Sequence, residues 1–330
     1  MFTATSSRVW RAASLVIASL AFVCAAGAPV CRAGARRAAE QAGRARVREQ
    51  QGGEIRVEVN LVNVLVSVLD EHNRPAPDLP REAFEVYEED VPQKIEVFEP
   101  ETQQPLDLVL MIDASLSTYI DMALEKEAAA HFIRQVLRSG DRLSVYAFDE
   151  NVTQLAGFSN DVATLQGAVR RIAEGAGTSL YDAVYIGSQA LERRSLDRRR
   201  VIVMVTDAGE TTSRLDFDAA RREAVRAGAL LYTIVIRAVK SESGRNTAGE
   251  HAIQTITDAT GGAMFFPDSA QDLDPIFDRI DRELRTQYRL AYYPNPRGSA
   301  GSFRRIEVTV KGNYQVRHRT GYFMGGETKK

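Results

Sequence analysis

The sequence predicts an α/β fold, a Rossmann-like, doubly wound and mostly parallel sheet with a small accessory antiparallel β unit beside it. Residues 108–112 and 201–205 are continuous apolar runs, each closely followed by an aspartate, which is typical of central parallel strands. Across residues 105–288, strand-like and helix-like patterns alternate, which favours helices on both faces of the sheet. Nearer both ends of the chain, apolar and polar residues alternate, as in half-buried antiparallel strands.

The composition is that of an ordinary soluble globular protein. The 330 residues are 44% hydrophobic and 26% charged, and the formal net charge is −2 at pH 7. A chain without net positive charge lacks the electrostatic footprint of a nucleic-acid-binding protein. Gly175 and Gly177 superficially resemble a phosphate-binding loop, but no lysine follows them, so we expect no nucleotide site.

The N-terminal residues 1–35 are typical of a secretory signal peptide. Arg8 and Arg11 precede an apolar run of small residues that extends from Ala12 to Ala28. This run is shorter than the roughly 20 residues that a membrane-spanning helix needs. We therefore expect an exported protein, either periplasmic or secreted. In the alternative, the segment is an uncleaved signal anchor, and only then do we expect contact with a membrane.

The remaining chain divides by changes in pattern. The predicted segments are a linker (36–53), an N-terminal β segment (54–104), the α/β domain (105–288), C-terminal β strands (289–323) and a tail (324–330). We expect the two β segments to pair with each other; in the alternative, each is a separate addition to the domain edge. Residues 84–87 and 95–98 are predicted strands, and residues 303–310 and 314–318 a hairpin.

Within the α/β domain, apolar spacing predicts the further elements. Predicted helices cover residues 122–137, 162–172, 180–191, 217–227, 252–259 and 273–284. Further predicted strands cover residues 143–148, 230–235 and 263–266.

Oxygen-bearing side chains follow the ends of the two apolar strands and lie in a glycine-rich segment between them. They are Asp113, Ser115, Ser117, Thr178 and Asp207. Because ligands of open α/β sheets bind beyond the carboxyl ends of the strands, we expect these side chains to converge there. An all-oxygen set suits a hard cation such as Mg²⁺. Asp182 is interpreted as a carboxylate that stabilises a helix N-terminus, with an outer role at the metal as the alternative.

This pattern resembles the von Willebrand factor A family. Its metal-ion-dependent adhesion site has Asp-x-Ser-x-Ser after the first strand, a threonine in a glycine-rich loop and an aspartate after the fourth strand. The resemblance covers residues 105–288 and implies one Mg²⁺ or Mn²⁺ with these ligands: Asp113, Ser115, Ser117, Thr178 and Asp207. Leu116, Thr118 and Ala208 depart from the family pattern in ways that alter loop shape rather than ligands. The whole chain also resembles exported bacterial proteins that carry such a domain between β segments.

The resemblance implies a binding module rather than an enzyme. A cation bound largely through hydroxyls and water keeps positive charge, so a partner protein that presents an acidic side chain would complete its coordination. We expect no catalytic residues, and the oligomeric state is not predicted. Two alternatives stay open: a structural envelope protein whose metal stabilises loops, and a metal-dependent hydrolase with Glu210 as a conceivable base.

Overall fold

The computed structural model describes residues 61–100, 103–115, 122–236 and 246–325. The predicted signal peptide and linker, residues 1–35 and 36–53, lie outside the described residues, so they stay predictions. None of the described helices is both long and apolar enough to cross a lipid bilayer.

The described residues form fourteen strands and six α-helices. The strands are β1 (Val62–Leu69), β2 (Phe84–Glu88), β3 (Val91–Gln93), β4 (Ile95–Glu99), β5 (Leu106–Asp113), β6 (Arg142–Phe148), β7 (Val152–Ser159), β8 (Arg199–Thr206), β9 (Leu230–Val235), β10 (Ala263–Phe265), β11 (Tyr288–Tyr292), β12 (Phe303–Val310), β13 (Gln315–His318) and β14 (Gly321–Phe323). The helices are α1 (Met122–Val136), α2 (Val162–Arg170), α3 (Leu180–Glu192), α4 (Phe217–Ala227), α5 (Thr247–Thr260) and α6 (Leu273–Arg285).

The central sheet confirms the predicted doubly wound architecture. Its strand order is β10-β9-β8-β5-β6-β7, and all neighbours are parallel except β6 and β7. Helices α1, α2 and α6 pack on one face, and α3, α4 and α5 pack on the other. Because both faces are covered, every residue of β5 and β8 is buried, which explains their continuous apolar sequences.

Strand β7 is an edge strand that sequence analysis did not predict. It runs antiparallel to β6 with two register shifts, and its residues are half-buried or exposed. Its sequence mixes polar and apolar residues without regular alternation, because each face is only partly covered: Leu155 and Ala156 pack against one core, and Val152 and Phe158 against the other. The strand therefore carries too weak a pattern to be recognised without its partner.

Local signals define the ends of helix α4. Asp216 caps its N-terminus, where the carboxylate accepts a hydrogen bond from the backbone N–H of Ala219 at 2.7 Å. The helix ends at Gly228, which adopts the left-handed conformation with φ of 63°. Both ends of α4 are therefore set by local signals, and β9 begins at Leu230, two residues after Gly228.

The two terminal segments pair into one accessory β unit, as predicted. It consists of two four-stranded antiparallel sheets, in the orders β13-β1-β11-β4 and β14-β12-β2-β3. In the first sheet, β1 from the N-terminal segment lies between β11 and β13 from the C-terminal segment. The sheets share an apolar core to which both contribute, including Val64 and Tyr288 from one sheet and Val86 and Val308 from the other. The unit is therefore a small β-sandwich.

The predicted hairpin of residues 303–310 and 314–318 is wrong. β12 pairs with β2 and β14, whereas β13 pairs with β1 in the other sheet. The intervening residues cross from one sheet to the other. Alternation specifies which face of a strand is buried but not which strand is its neighbour, so both arrangements satisfy the same sequence pattern.

The predicted strands near residues 84–98 also separate between the two sheets. β2 forms a tight hairpin with β3, and the two turn residues, Glu89 and Asp90, have φ of 50° and 64°. Positive φ at both positions is the geometry of a type I′ turn, which matches the twist of the paired strands. β4 then enters the first sheet beside β11.

A buried polar network joins the β-sandwich to the α/β domain. The Glu283 carboxylate of α6 accepts a hydrogen bond from the Tyr232 hydroxyl of β9 at 2.9 Å and pairs with Arg317 of β13. The Gln287 amide donates to the Ser67 hydroxyl of β1 at 3.1 Å. The contacts between these parts therefore include directional hydrogen bonds as well as apolar packing.

Candidate metal centre

Asp113, the last residue of β5, is a fully buried carboxylate with 0% exposure. It accepts a hydrogen bond from the Thr206 hydroxyl at 2.6 Å and another from the Ser115 backbone N–H at 3.0 Å. Since Thr206 ends β8, these bonds join the two central strands at their carboxyl ends. Burial, together with the nearby charge of Asp207, raises the pKa of Asp113 to about 6, although the hydrogen bonds from Thr206 and Ser115 oppose the shift.

The loop after β5 is joined to the glycine-rich loop. Ser115 is buried and forms a parallel bridge with Gly175, whose N–H donates to the Ala114 carbonyl at 2.9 Å. A Cβ atom added to Gly175 would lie 1.9 Å from the Asp149 carboxylate, so only glycine allows this approach. The two loops are therefore held together by their backbones.

Asp149 is a carboxylate at this edge that sequence analysis missed. It directly follows β6, the neighbour of β5, and its carboxylate accepts from the Asn151 N–H at 2.7 Å. The signal was present in the sequence, because this aspartate also follows a strand-like run, residues 143–148, as Asp113 follows residues 108–112.

Thr178 and Asp207 lie against the same glycine. A Cβ atom added to Gly209 would lie 2.9 Å from Asp207 Oδ1 and 3.2 Å from Thr178 Oγ1. The Thr178 carbonyl accepts from the N–H of Thr211 at 2.9 Å, and the Thr178 N–H donates to the Thr211 hydroxyl at 2.8 Å. The glycine-rich loop is therefore tied to the loop after β8, which holds the two side-chain oxygens at one place.

The structure thus brings the described members of the predicted ligand set to one edge of the sheet, in neighbouring loops. These members are Asp113, Ser115, Thr178 and Asp207. Ser117 lies outside the described residues, as do the two family departures Leu116 and Thr118. Over the described ranges, no three His, Cys, Asp or Glu side chains cluster, so a metal here would depend on hydroxyls as well as carboxylates. That donor chemistry suits a hard cation, and metal binding stays a prediction.

Ala208 is the described departure from the family pattern, and it adopts the conformation that glycine favours. Its φ is 61°, and the residue is fully buried. Its N–H donates to the Thr206 hydroxyl at 3.0 Å, and its carbonyl accepts from the Asn246 amide at 3.1 Å. These bonds offset the cost of about 1–2 kcal/mol that an L-residue incurs in the left-handed region. Ala208 therefore occupies a backbone conformation that glycine adopts readily, and two hydrogen bonds hold it there.

Asp182 and Glu210 support loops around the candidate site. Asp182 lies in the first turn of α3, where a carboxylate was predicted to stabilise the helix N-terminus, and it also accepts hydrogen bonds from the N–H groups of Arg214 and Leu215, at 3.1 and 3.0 Å, which hold the segment after β8. Glu210 accepts from the Ser213 hydroxyl at 2.6 Å and from the Tyr181 N–H at 3.2 Å. Its carboxylate is therefore committed to linking this loop with the start of α3.

Residues 108–210 match the family model of the von Willebrand factor type A domain. This part of the chain is a von Willebrand factor type A domain. The matched range begins within β5, ends in the loop after β8 and includes every predicted ligand. No curated protein sequence matched the chain.

Solved structures of von Willebrand factor A-type and other proteins are similar to this chain. A von Willebrand factor type A protein from Catenulispora acidiphila is 12% identical with a TM-score of 0.49, over 82% of this chain and 74% of that one. The von Willebrand factor domain of the type V pilus tip protein Mfa5 from Porphyromonas gingivalis is 13% identical with a TM-score of 0.45, over 55% and 95%. The conserved hypothetical protein BatB from Bacteroides thetaiotaomicron is 13% identical with a TM-score of 0.43, over 54% and 98%.

Proposed function

We propose that this protein is an exported, metal-dependent protein-binding module. In this proposal, one Mg²⁺ or Mn²⁺ is held at the carboxyl edge of the central sheet and captures an acidic side chain of a partner protein. The proposed ligands are Asp113, Ser115, Ser117, Thr178 and Asp207. The observation that carries the proposal is the fully buried Asp113 carboxylate near Asp207, beside the Thr178 and Ser115 hydroxyls.

The charge at this edge favours a cation. A buried carboxylate near a second one is costly, because desolvation and mutual repulsion both disfavour the charged form. A divalent cation supplies the compensating positive charge when it is bound. Both oxygens of Asp113 already accept hydrogen bonds, from Thr206 and from Ser115, which suits an outer contact through water. When fewer carboxylates of this chain bind the cation directly, more of its positive charge remains to attract a carboxylate of the partner protein.

Export rests on residues 1–35, whose arginines and apolar run are typical of a signal peptide. An extracytoplasmic location suits a module that binds proteins outside the cell. If the segment stays uncleaved, it anchors the module at the membrane surface.

The metal site is tested by titrating the purified protein with Mn²⁺ and following free Mn²⁺ by electron paramagnetic resonance. We expect one site per chain, loss of that site in Asp207→Asn, and binding weakened about tenfold or more in Thr178→Ala. Asp258→Asn, which alters an exposed carboxylate of α5, is the matched control and should bind as the unaltered protein does. Equal binding by Asp207→Asn would overturn the assignment of ligands.

Partner capture is tested with immobilised peptides that contain a glutamate, against matched peptides that contain glutamine. We expect binding in Mg²⁺, loss in EDTA and no binding to the glutamine peptides. If Mg²⁺ raises the melting temperature but no glutamate peptide binds, the metal acts as a loop stabiliser and the adhesive function is wrong. Metal-dependent turnover of an ester or phosphodiester substrate would instead support the hydrolase alternative.

A further inference from the structure

A cavity of about 460 Å³ lies between the α/β domain and the β-sandwich. Its walls include the start of β8, the C-terminal end of α4, and residues of β1 and β14. Because Arg199 and Arg200 begin β8 whereas Asp207 follows its end, the cavity is at the opposite edge of the central sheet from the candidate metal centre. A volume of this size accommodates a small organic molecule.

Three arginines of the cavity wall bond to carbonyls rather than to carboxylates. Arg199, 3% exposed, donates to the Gln104 carbonyl at 3.0 Å and also contacts the Leu284 carbonyl. Arg200, 8% exposed, donates to the Ala227 carbonyl at 2.7 Å. Arg319 of the cavity wall is half-buried. Its guanidinium donates to the Asn63 carbonyl at 2.6 Å.

The three other arginines of the same wall show the contrast. Arg198 pairs with the buried Asp107 at 2.7 Å, Arg226 pairs with Glu192 and Glu223, and Arg289 pairs with Glu99. Burying a cation without a partner is costly, so the unpaired arginines leave positive charge in the cavity wall that the chain itself does not neutralise by contact.

Arg200 and Arg319 also have unused donors. Among the described residues, no acceptor bonds to the buried Nε–H of either side chain. The two guanidiniums flank the same helix end, since Arg200 bonds to Ala227 and a Cβ atom added to Gly228 would lie 3.9 Å from Arg319 Nη1. The negative end of the α4 dipole is equivalent to about half an elementary charge, and it offsets part of the positive charge of the two guanidiniums. Positive charge therefore remains at this end of α4, and it is only partly compensated at longer range by Glu192 near Arg200 and by Glu88 near Arg319.

The rest of the cavity is apolar. Leu230, Tyr322 and Met324 are buried side chains that contribute to its wall. Leu196 also contributes, at 87% exposure, so a large apolar side chain faces solvent beside the opening. A ligand with an apolar part would cover it and gain about 25 cal/mol per Å² of apolar surface removed from water.

We propose that this cavity binds a small anion that carries an apolar group, such as an alkyl carboxylate or an alkyl phosphate. The anionic head lies at Arg200 and Arg319, which match the oxygens of either group with planar guanidinium donors. The apolar group lies against Leu196 and Tyr322. This site is independent of the metal centre, and its ligand does not depend on the function proposed for that centre.

The test is calorimetric titration of the purified full chain with octanoate, octyl phosphate and the uncharged octanol. We expect saturable binding of octanoate, octyl phosphate or both, and binding of octanol weaker by about tenfold or more. Whichever anion binds more tightly identifies the head group. In Arg319→Gln, anion affinity should fall about tenfold, whereas Arg305→Gln, an exposed arginine paired with Asp90, should bind normally.

A second variant keeps the test decisive if Arg319→Gln does not fold. Leu196→Ser alters an exposed side chain, so it should leave the fold intact while weakening octanoate binding by about threefold to tenfold. No saturable binding of either anion overturns the proposal. Equal affinity of octanol and octanoate also overturns it, because the arginines then contribute nothing to recognition.

Discussion

At the scale of single residues, two buried aspartates of β5 have opposite electrostatic surroundings. Asp107, near the start of the strand, contacts Arg194 and Arg198, each at 2.7 Å. Asp113, at its end, accepts hydrogen bonds from the neutral Thr206 hydroxyl and from the Ser115 N–H, and it lies near the charge of Asp207. One strand therefore carries a structural ion-pair carboxylate at one end and an electrostatically costly carboxylate at the other. Costly placement of this kind is a feature of functional sites.

Asp113→Asn should remove Mn²⁺ binding without destabilising the metal-free protein. Asparagine removes a buried charge but keeps an acceptor for Thr206 or for the Ser115 N–H, so in EDTA at pH 7.5 the free energy of unfolding should rise by about 1 kcal/mol. The measurement is denaturant unfolding in EDTA. As the matched control, Asp107→Asn should lower that free energy by about 3 kcal/mol, since it leaves two arginines without their partner. A large loss of stability in Asp113→Asn would show that its charge is compensated within the metal-free fold.

At the scale of elements, the side chain of His318 links β12 to β13, whose backbones pair with other strands. Its Nε2 accepts a hydrogen bond from the Val308 N–H at 3.1 Å, and its Nδ1 lies 2.9 Å from the Arg319 carbonyl. Because a carbonyl accepts and an N–H donates, the ring is neutral with its proton on Nδ1. A side chain therefore connects strands that belong to different sheets.

The stability of the β-sandwich should depend on the protonation of His318. Burial lowers the pKa of His318 below its ordinary value of 6.5. Between the lowered pKa of folded His318 and the ordinary value of 6.5, the unfolded chain binds more protons than the folded chain. The stability that neutral His318 contributes is therefore complete above pH 6.5 and is lost as the pH falls below it. We expect the denaturant midpoint to fall between pH 7.5 and pH 5. The fall should be smaller in His318→Gln, whose amide oxygen accepts without titrating; an equal fall in both proteins would assign the effect to other groups.

At the scale of the whole molecule, the Glu283 network contributes buried polar contacts between the β-sandwich and the α/β domain. Glu283 is buried on α6, and its two partners come from β9 and β13. The cavity proposed as an anion site lies in the same interface, and Arg199 contacts both the Leu284 carbonyl and the Gln287 amide oxygen there. The interface is therefore polar and rich in arginine.

Glu283→Gln should lower the free energy of unfolding by about 3 kcal/mol, because it leaves Arg317 largely buried without a counter-charge. Tyr232→Phe, which removes one hydrogen bond to the same carboxylate, should cost about 1 kcal/mol. Chemical denaturation followed by circular dichroism measures both. Glu307→Gln, at an exposed position of β12, is the control and should stay within about 0.5 kcal/mol of the unaltered protein. A change of similar size in Glu283→Gln would mean that apolar packing alone holds the interface.

The candidate metal centre was largely predictable, because its signals are local. Asp113 and Asp207 follow buried strands, and the carboxyl ends of parallel strands meet at one edge whatever the rest of the fold. Asp149 follows the same rule, because it directly follows the strand-like residues 143–148, so its position was equally predictable. The close contact of Asp149 with Gly175 was not predictable, because it depends on how two loops pack.

The sequence by itself determined the class of the fold and the alternation of helices with buried strands. These follow from apolar periodicity, which is a property of each segment alone. Only the tertiary structure decided the partners of β12 and β13, the edge position of β7, and the cavity with Arg200 and Arg319. Alternation of apolar and polar residues specifies which face of a strand is buried but not which strand pairs with it. Arg200 and Arg319 are separated by more than a hundred positions in the chain. They meet only because the β-sandwich packs against the end of α4.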